Sequence, residues 1–147
     1  MIDLSINNVF YHKTNPMMTI TRNGITISKE AAILLGCPEY VGIYLYEGYM
    51  YIASQKANTP GSVKFYSDRG PIKYVNKTLL LSVKEIIKGD LLINSFQVRA
   101  TKDIATIKDG DGNIIEVGVP CLIFDLKRHS IAISTNFGED MGYGEPY

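Results

Sequence analysis

The stretch YVGIYLYEGYMYIAS (Tyr40 to Ser54) constrains the fold more than any other part of the chain. Aromatic and β-branched residues, the natural strand formers, flank Glu47-Gly48, and a two-residue Gly-containing step between two such runs is a hairpin signal. Strand residues alternate faces, so Tyr44 and Tyr46 share one side while Ile43 and Leu45 take the other. Tyr49 and Tyr51 likewise share a side of the return strand. With Ile43 and Leu45 turned inward, Tyr44, Tyr46, Tyr49 and Tyr51 form an outward platform that suits stacking on exposed bases or a protein partner. Packing in a core or dimer contact accounts for the same pattern. No Lys or Arg is interleaved with these tyrosines.

The preceding stretch MMTITRNGITIS (Met17 to Ser28) alternates apolar and polar residues around Asn23-Gly24. That dipeptide supplies the two positive-φ positions of a type I′ turn and predicts a first hairpin. Ser28 is placed to cap a helix over KEAAILLG, which Gly36 closes and Pro38 stops. QKANTPGS (Gln55 to Ser62) is a connector, VKFYS a short strand, SDRGP a turn and IKYV an extended piece. Asn76 then caps KTLLLSVKEIIKG, where Leu79, Leu80, Val83, Ile86 and Ile87 fall at helical spacing. Beyond Asp90 the chain reads as strands: a long pair around DGDGN, and a second pair within Cys121 to Ser134 turning at Lys127-Arg128-His129. The tail TNFGEDMGYGEPY, Gly-rich and acidic, carries no periodicity and reads as flexible.

The order strand, cap, Lys, helix, hairpin occurs twice. ITISKEAAILLG sets against IKYVNKTLLLSV, so that Ser28-Lys29 matches Asn76-Lys77, and IYLYEGYMYIAS sets against IFDLKRHSIAIS. The expectation is an α+β, strand-rich fold with two short helices and a barrel-like core built from this duplicated unit. Its boundaries are 1–62 for the first unit, 63–134 for the second with a 91–119 hairpin insertion, and 135–147 for the tail. The words GITISKEAAILLG…YVGIYLYEGYMYIA resemble the swapped-hairpin unit of the SpoVT/AbrB-like family over about residues 20–54. In that family two units interlock into a small barrel, usually as a homodimer, and many members bind DNA. The resemblance implies a monomeric pseudo-dimer or a homodimer, with DNA as partner and transcription regulation as role. DNA-binding members usually carry Pro where Ser28 stands and a basic residue in the helix, where this chain has Glu30-Ala31-Ala32. ISKEAAILLGCPEYV and LIFDLK also resemble uncharacterised small proteins of prophages and mobile elements of Gram-positive bacteria.

Charge decides how such binding would work. The whole chain is neutral, with 15 Lys/Arg and 15 Asp/Glu, but residues 1–88 carry a surplus of cations and residues 89–147 a surplus of carboxylates. A neutral chain does not coat nucleic acid indiscriminately. The cations that the repeat gathers near the strand-to-helix steps are Arg22, Lys29, Lys73 and Lys77, placed to hold phosphates beside helix N-termini. A plain solvated face uses the same residues.

The remaining patterns exclude rather than identify. No apolar run approaches the roughly 20 residues of a membrane helix, and the first residues lack a secretory pattern. Cys37 and Cys121 are too few for a disulfide framework and fit a reducing cytoplasm. DGDGN fails as a calcium loop, because positions six and twelve from Asp109 are Ile114 and Pro120 rather than Gly and Glu. His12 and His129 sit in no metal or catalytic spacing, and no nucleophile elbow or phosphate loop is present. A Cys121–His129 pair needs the last hairpin to bring the two together. The expectation is therefore a non-enzymatic binding protein without cofactor or metal, with DNA as ligand or, alternatively, a host protein that it inhibits or assists.

Overall fold

The computed structural model describes residues 1–3, 15–91 and 93–131. Two hairpins form in the first half. Strands β1 (Met17–Thr21) and β2 (Gly24–Ile27) pair with Thr21 opposite Gly24. The two-residue loop is therefore Arg22-Asn23, one position earlier than the Asn-Gly signal predicts, and Asn23 is not among the residues with positive φ. The reason lies at Gly24 (φ 148°), where an added Cβ would stand 2.6 Å from the Tyr74 carbonyl oxygen. Gly24 serves that close approach, and its own φ is one that L side chains rarely adopt. Thr21 Oγ1 accepts from the Asn23 N–H (3.1 Å) and fixes the loop instead.

The second hairpin, β3 (Tyr40–Tyr46) and β4 (Tyr49–Gln55), turns at Glu47-Gly48 with φ of 51° and 84°. Two positive values are what a type I′ connection requires. Between the hairpins lies α1 (Lys29–Leu35). Ser28 caps it by accepting from the Ala31 N–H (3.1 Å), and the same oxygen accepts from the Met17 N–H (3.0 Å). One hydroxyl thus ties the helix start to β1.

VKFYS divides into β5 (Val63–Lys64) and β6 (Tyr66–Ser67), and β6 pairs with β7 (Gly70–Pro71) around the expected turn. IKYV forms no strand. It makes one antiparallel bridge, Tyr74 to Ile25, closed by two backbone hydrogen bonds of 2.8 and 2.9 Å. The two cap steps therefore lie side by side. Helix α2 (Lys77–Ile87) starts at Asn76, which accepts from the Leu79 N–H at 2.9 Å. Its buried Val83 and Ile87, with half-buried Leu79, Leu80 and Ile86, are the face that the spacing predicts.

The last two strands form the centre of the sheet. β8 (Phe96–Lys108) and β9 (Ile114–Ile131) turn at Asp109–Asn113, where Asp109 Oδ1 accepts from the N–H groups of Asp111 and Asn113, both at 2.9 Å. The seven-stranded antiparallel sheet has the order β2-β1-β8-β9-β4-β3-β5 and curls into a half-barrel. Residues 91–119, read from the sequence as an insertion, supply β8 and the start of β9.

No hairpin forms at Lys127-Arg128-His129, which corrects the expectation of a strand pair there. β9 runs through these residues as one strand. Its register on β8 jumps from Ala100 opposite Phe124 to Val98 opposite His129, so four residues of β9 face Arg99. Leu126 explains why the strand bulges without reversing. Its side chain is fully buried, worth about 1.5–3 kcal/mol, and its N–H donates to the Gly48 carbonyl at 3.1 Å. The hairpin at Ile43 to Ser54 consequently has no counterpart among the described residues.

One face of the sheet packs on the helices. Ala31, Ala32, Leu35, Val83 and Ile87 join Met18, Ile20, Phe96, Val98, Leu122 and Phe124 in the main core. A smaller cluster, Ala53, Ile107, Val119 and Cys121, forms where the outer end of the β8–β9 hairpin meets β4. The 135–147 tail and His12 lie outside the described residues.

Candidate functional site

The four tyrosines share one face because of the β3–β4 register. Tyr44 is opposite Tyr51 and Tyr46 opposite Tyr49. Opposite residues of antiparallel strands project to the same side. Ile43, Leu45, Met50 and Ile52 take the other side and pack in the core. Tyr46 is 66% exposed and Tyr44 37%, while Tyr49 and Tyr51 are half-buried. The rings of Tyr49 and Tyr51 lie 6.1 Å apart, tilted by 37°.

Tyr44 is held from behind. Its hydroxyl donates to Gln55 Oε1, Gln55 Nε2 donates to Ser62 Oγ (3.0 Å), and Ser62 Oγ donates to the Lys56 carbonyl (2.7 Å). Gly42 makes the room, since a Cβ there would overlap the Gln55 carboxamide. Burial pushes the Tyr44 phenol above its ordinary pKa, and the nearby Cys121 and Glu116 add to the shift.

Strand β9 lies beside β4 with Tyr49 opposite Asp125, Tyr51 opposite Ile123 and Ala53 opposite Cys121. The β9 bulge therefore delivers cations to the tyrosine row. The Lys127 ammonium sits 4.9 Å from the Tyr49 ring centroid. Arg128 Nε lies 3.6 Å from Asp125 Oδ2, with the guanidinium largely exposed. Such an exposed pair contributes little to stability, so Arg128 remains available to a ligand. His129 is fixed by Nδ1 at 2.8 Å from the Leu126 carbonyl and by edge-on contact with Phe96 at 5.2 Å. A cleft of about 710 Å³ runs along this border, lined by Tyr49, Arg99, Thr101, Ile123, Asp125 and Arg128 among others. A second cleft of about 320 Å³ opens at the other end of the row, between Tyr44, Tyr51 and the outer part of β8.

The sequence marks Lys127 and Arg128 only as turn residues and Arg99 not at all, and none of the three as a binding residue. Strand register between β4, β8 and β9 creates their proximity to Tyr49, and no local pattern carries that information. The four cations that the sequence does single out stand elsewhere. Arg22 is in the β1–β2 loop, Lys29 and Lys77 open the two helices, and Lys73 leans on Gly24, its Cε 2.9 Å from where a Cβ would be. All four are exposed. The Ile25–Tyr74 bridge brings their segments together, but β2 and β4 are separated in the sheet by β1, β8 and β9.

Cys121 and His129 lie on one strand, with no reversal to bring them together. Their partners on β8, Asp103 and Val98, are five residues apart, which at about 3.3 Å each separates the two by roughly 17 Å. Burial, aided by the Asp103 charge, pushes the Cys121 thiol up to about 11, so it is protonated at neutral pH. Among the described residues no three His, Cys, Asp or Glu side chains converge as metal ligands. No helix among them is long and apolar enough to cross a membrane. No family model, curated protein or solved structure matches the chain.

Proposed function

We propose that this chain is a non-enzymatic binding protein that takes single-stranded nucleic acid across the outer face of its sheet. The observation that carries the reading is the Lys127–Tyr49 contact at the end of a row of four tyrosines. Flat rings stack on any base, and a cation above them both follows the phosphates and strengthens the stack. Bases inside a duplex do not present their faces, so this surface favours a single strand. The role implied by the resemblance, a regulator carried by a phage or mobile element, suits the same surface.

Short labelled single strands and matched duplexes, titrated against salt, test the proposal. Single-strand binding that weakens in Arg99→Ala and Lys127→Ala is the expected result. With three cations engaged, log affinity falls by about 2 per decade of salt, at about 0.7 per phosphate. Duplex binding that is lost instead in the Arg22, Lys29, Lys73 and Lys77 quadruple alanine variant shifts the site to the helix starts. No binding of either form at low salt sinks both versions.

A protein partner is the second reading, and a separate observation favours it. Ile104, Ile114, Ile115 and Val117 on the β8–β9 hairpin are 70%, 62%, 43% and 66% exposed. Apolar side chains exposed along one hairpin suit a protein contact. A host protein, such as an enzyme that this chain inhibits or assists, is the partner class. Retention of that partner by the wild type and its loss with Ile104→Lys and Val117→Lys is the expected result. A stoichiometric partner that ignores both changes removes this reading.

A further inference from the structure

The tyrosine row continues into a line of side chains that crosses the outer face of the sheet. Tyr46 is opposite Tyr49, Tyr49 opposite Asp125, and Arg99 opposite Met17. The bulge joins the two parts of the line, because Arg99 faces the β9 residues from Asp125 to Arg128. The line stops at Met17, since β2 pairs with β1 only from Met18 onward. Its last stretch is the cleft of about 710 Å³, within the range of ligand pockets, about 300–1,000 Å³. Arg99 and Arg128 both line that cleft. A regular β9 would set Arg128 opposite Phe96, so the bulge re-aims it toward Arg99. Asp125 faces only the Nε of Arg128, at 3.6 Å, which leaves the two terminal nitrogens of the guanidinium to a ligand. Gln97 and Ser130, opposite each other in the same cleft, add an amide and a hydroxyl donor.

We infer that this cleft holds the terminal phosphate monoester of a bound single strand, with the last base on Tyr49. The inference rests on the single-strand reading above and adds recognition of the strand's end. A strand laid along the tyrosines finds no further ring or cation in the line beyond Arg99 and Met17. Charge also fits an end better than a link. Arg99, Lys127 and Arg128 against Asp125 leave two net positive charges. A phosphate within the strand carries one negative charge, whereas a monoester carries about two at neutral pH and offers three acceptor oxygens. Two guanidinium groups grip such oxygens in pairs.

The deciding experiment titrates internally labelled strands of one sequence that carry a 5′-phosphate, a 3′-phosphate or hydroxyls at both ends. A hydroxyl-ended strand one nucleotide longer controls for the added charge. The expected result is binding about tenfold tighter for at least one phosphorylated end than for either hydroxyl-ended strand, the value of one hydrogen bond to a charged group. The favoured end then gives the direction of the strand across the sheet. Arg128→Lys keeps the charge without the planar fork. It removes most of the preference and leaves hydroxyl-ended strands bound as before. Phosphorylated strands that bind no tighter than the controls, or a preference undiminished in Arg128→Lys, overturn end recognition and leave the tyrosine face standing. Failure of every strand to bind overturns both readings. A nucleoside monophosphate that binds as tightly as the phosphorylated strand overturns the strand as ligand and assigns the cleft to free nucleotides.

Discussion

Lys127 holds its ammonium 4.9 Å from the centre of the Tyr49 ring, although the two residues belong to different halves of the chain. Gly48 permits the contact, because the aliphatic stem of Lys127 passes within 3.1 Å of where a Cβ on that residue would stand. Lys127→Ala is expected to weaken single-strand binding by about two- to fivefold, the range of an exposed cation–π contact. The same change lowers the salt slope by about 0.7. Anisotropy titrations at several salt concentrations check both, and an unchanged slope removes Lys127 from the interface.

Gly42 exists for Gln55. Gly42→Ala would drive a methyl group into the carboxamide that links Tyr44 to Ser62. The expected loss is about 1–3 kcal/mol, from overpacking and broken hydrogen bonds. Urea unfolding measures it. Gln55→Ala in the same background should recover part of the loss, since the obstructing group is then absent.

Ser28 does the work of two acceptors. Ser28→Ala removes the α1 cap and also strands the Met17 N–H at the start of β1. A loss of about 1–2 kcal/mol is expected, larger than that of Asn76→Ala, whose side chain caps α2 alone. Equal losses would show that the tie to β1 contributes nothing.

Alkaline pH should destabilise the fold through Cys121. Its pKa in the folded chain is about 11, against an ordinary value of 9.0, because burial disfavours the thiolate. The stabilisation is complete below about pH 9 and is lost as pH rises toward 11, amounting to at most about 3 kcal/mol. Urea midpoints between pH 8 and 11 should fall less steeply in Cys121→Ala than in the wild type. Parallel curves would show that the thiol does not titrate with unfolding.

Features set by neighbouring residues were legible in the sequence. Glu47-Gly48 makes its turn, Ser28 and Asn76 cap their helices, and Val83 and Ile87 face the core as their spacing requires. Where distant segments meet, local signals mislead. Asn23-Gly24 looks like a turn, but the approach of Tyr74 moves the loop to Arg22-Asn23. Lys127-Arg128-His129 looks like a reversal, but the burial of Leu126 keeps β9 continuous. The tyrosine row was visible by strand period, whereas its cations depend on a register that no short stretch encodes.

The strand order also bears on how the chain is made. β1–β2 and β3–β4 never pair with each other, and only β8 and β9 join them. A ribosome that has released the first 95 residues has therefore produced two hairpins without a common sheet. Two hairpins alone are marginal in water. Cooperative structure must wait for the last third of the described chain, so folding is late in synthesis and dominated by long-range pairing, which is slow. Until then the half-built protein offers bare strand edges, each a template for pairing with another chain.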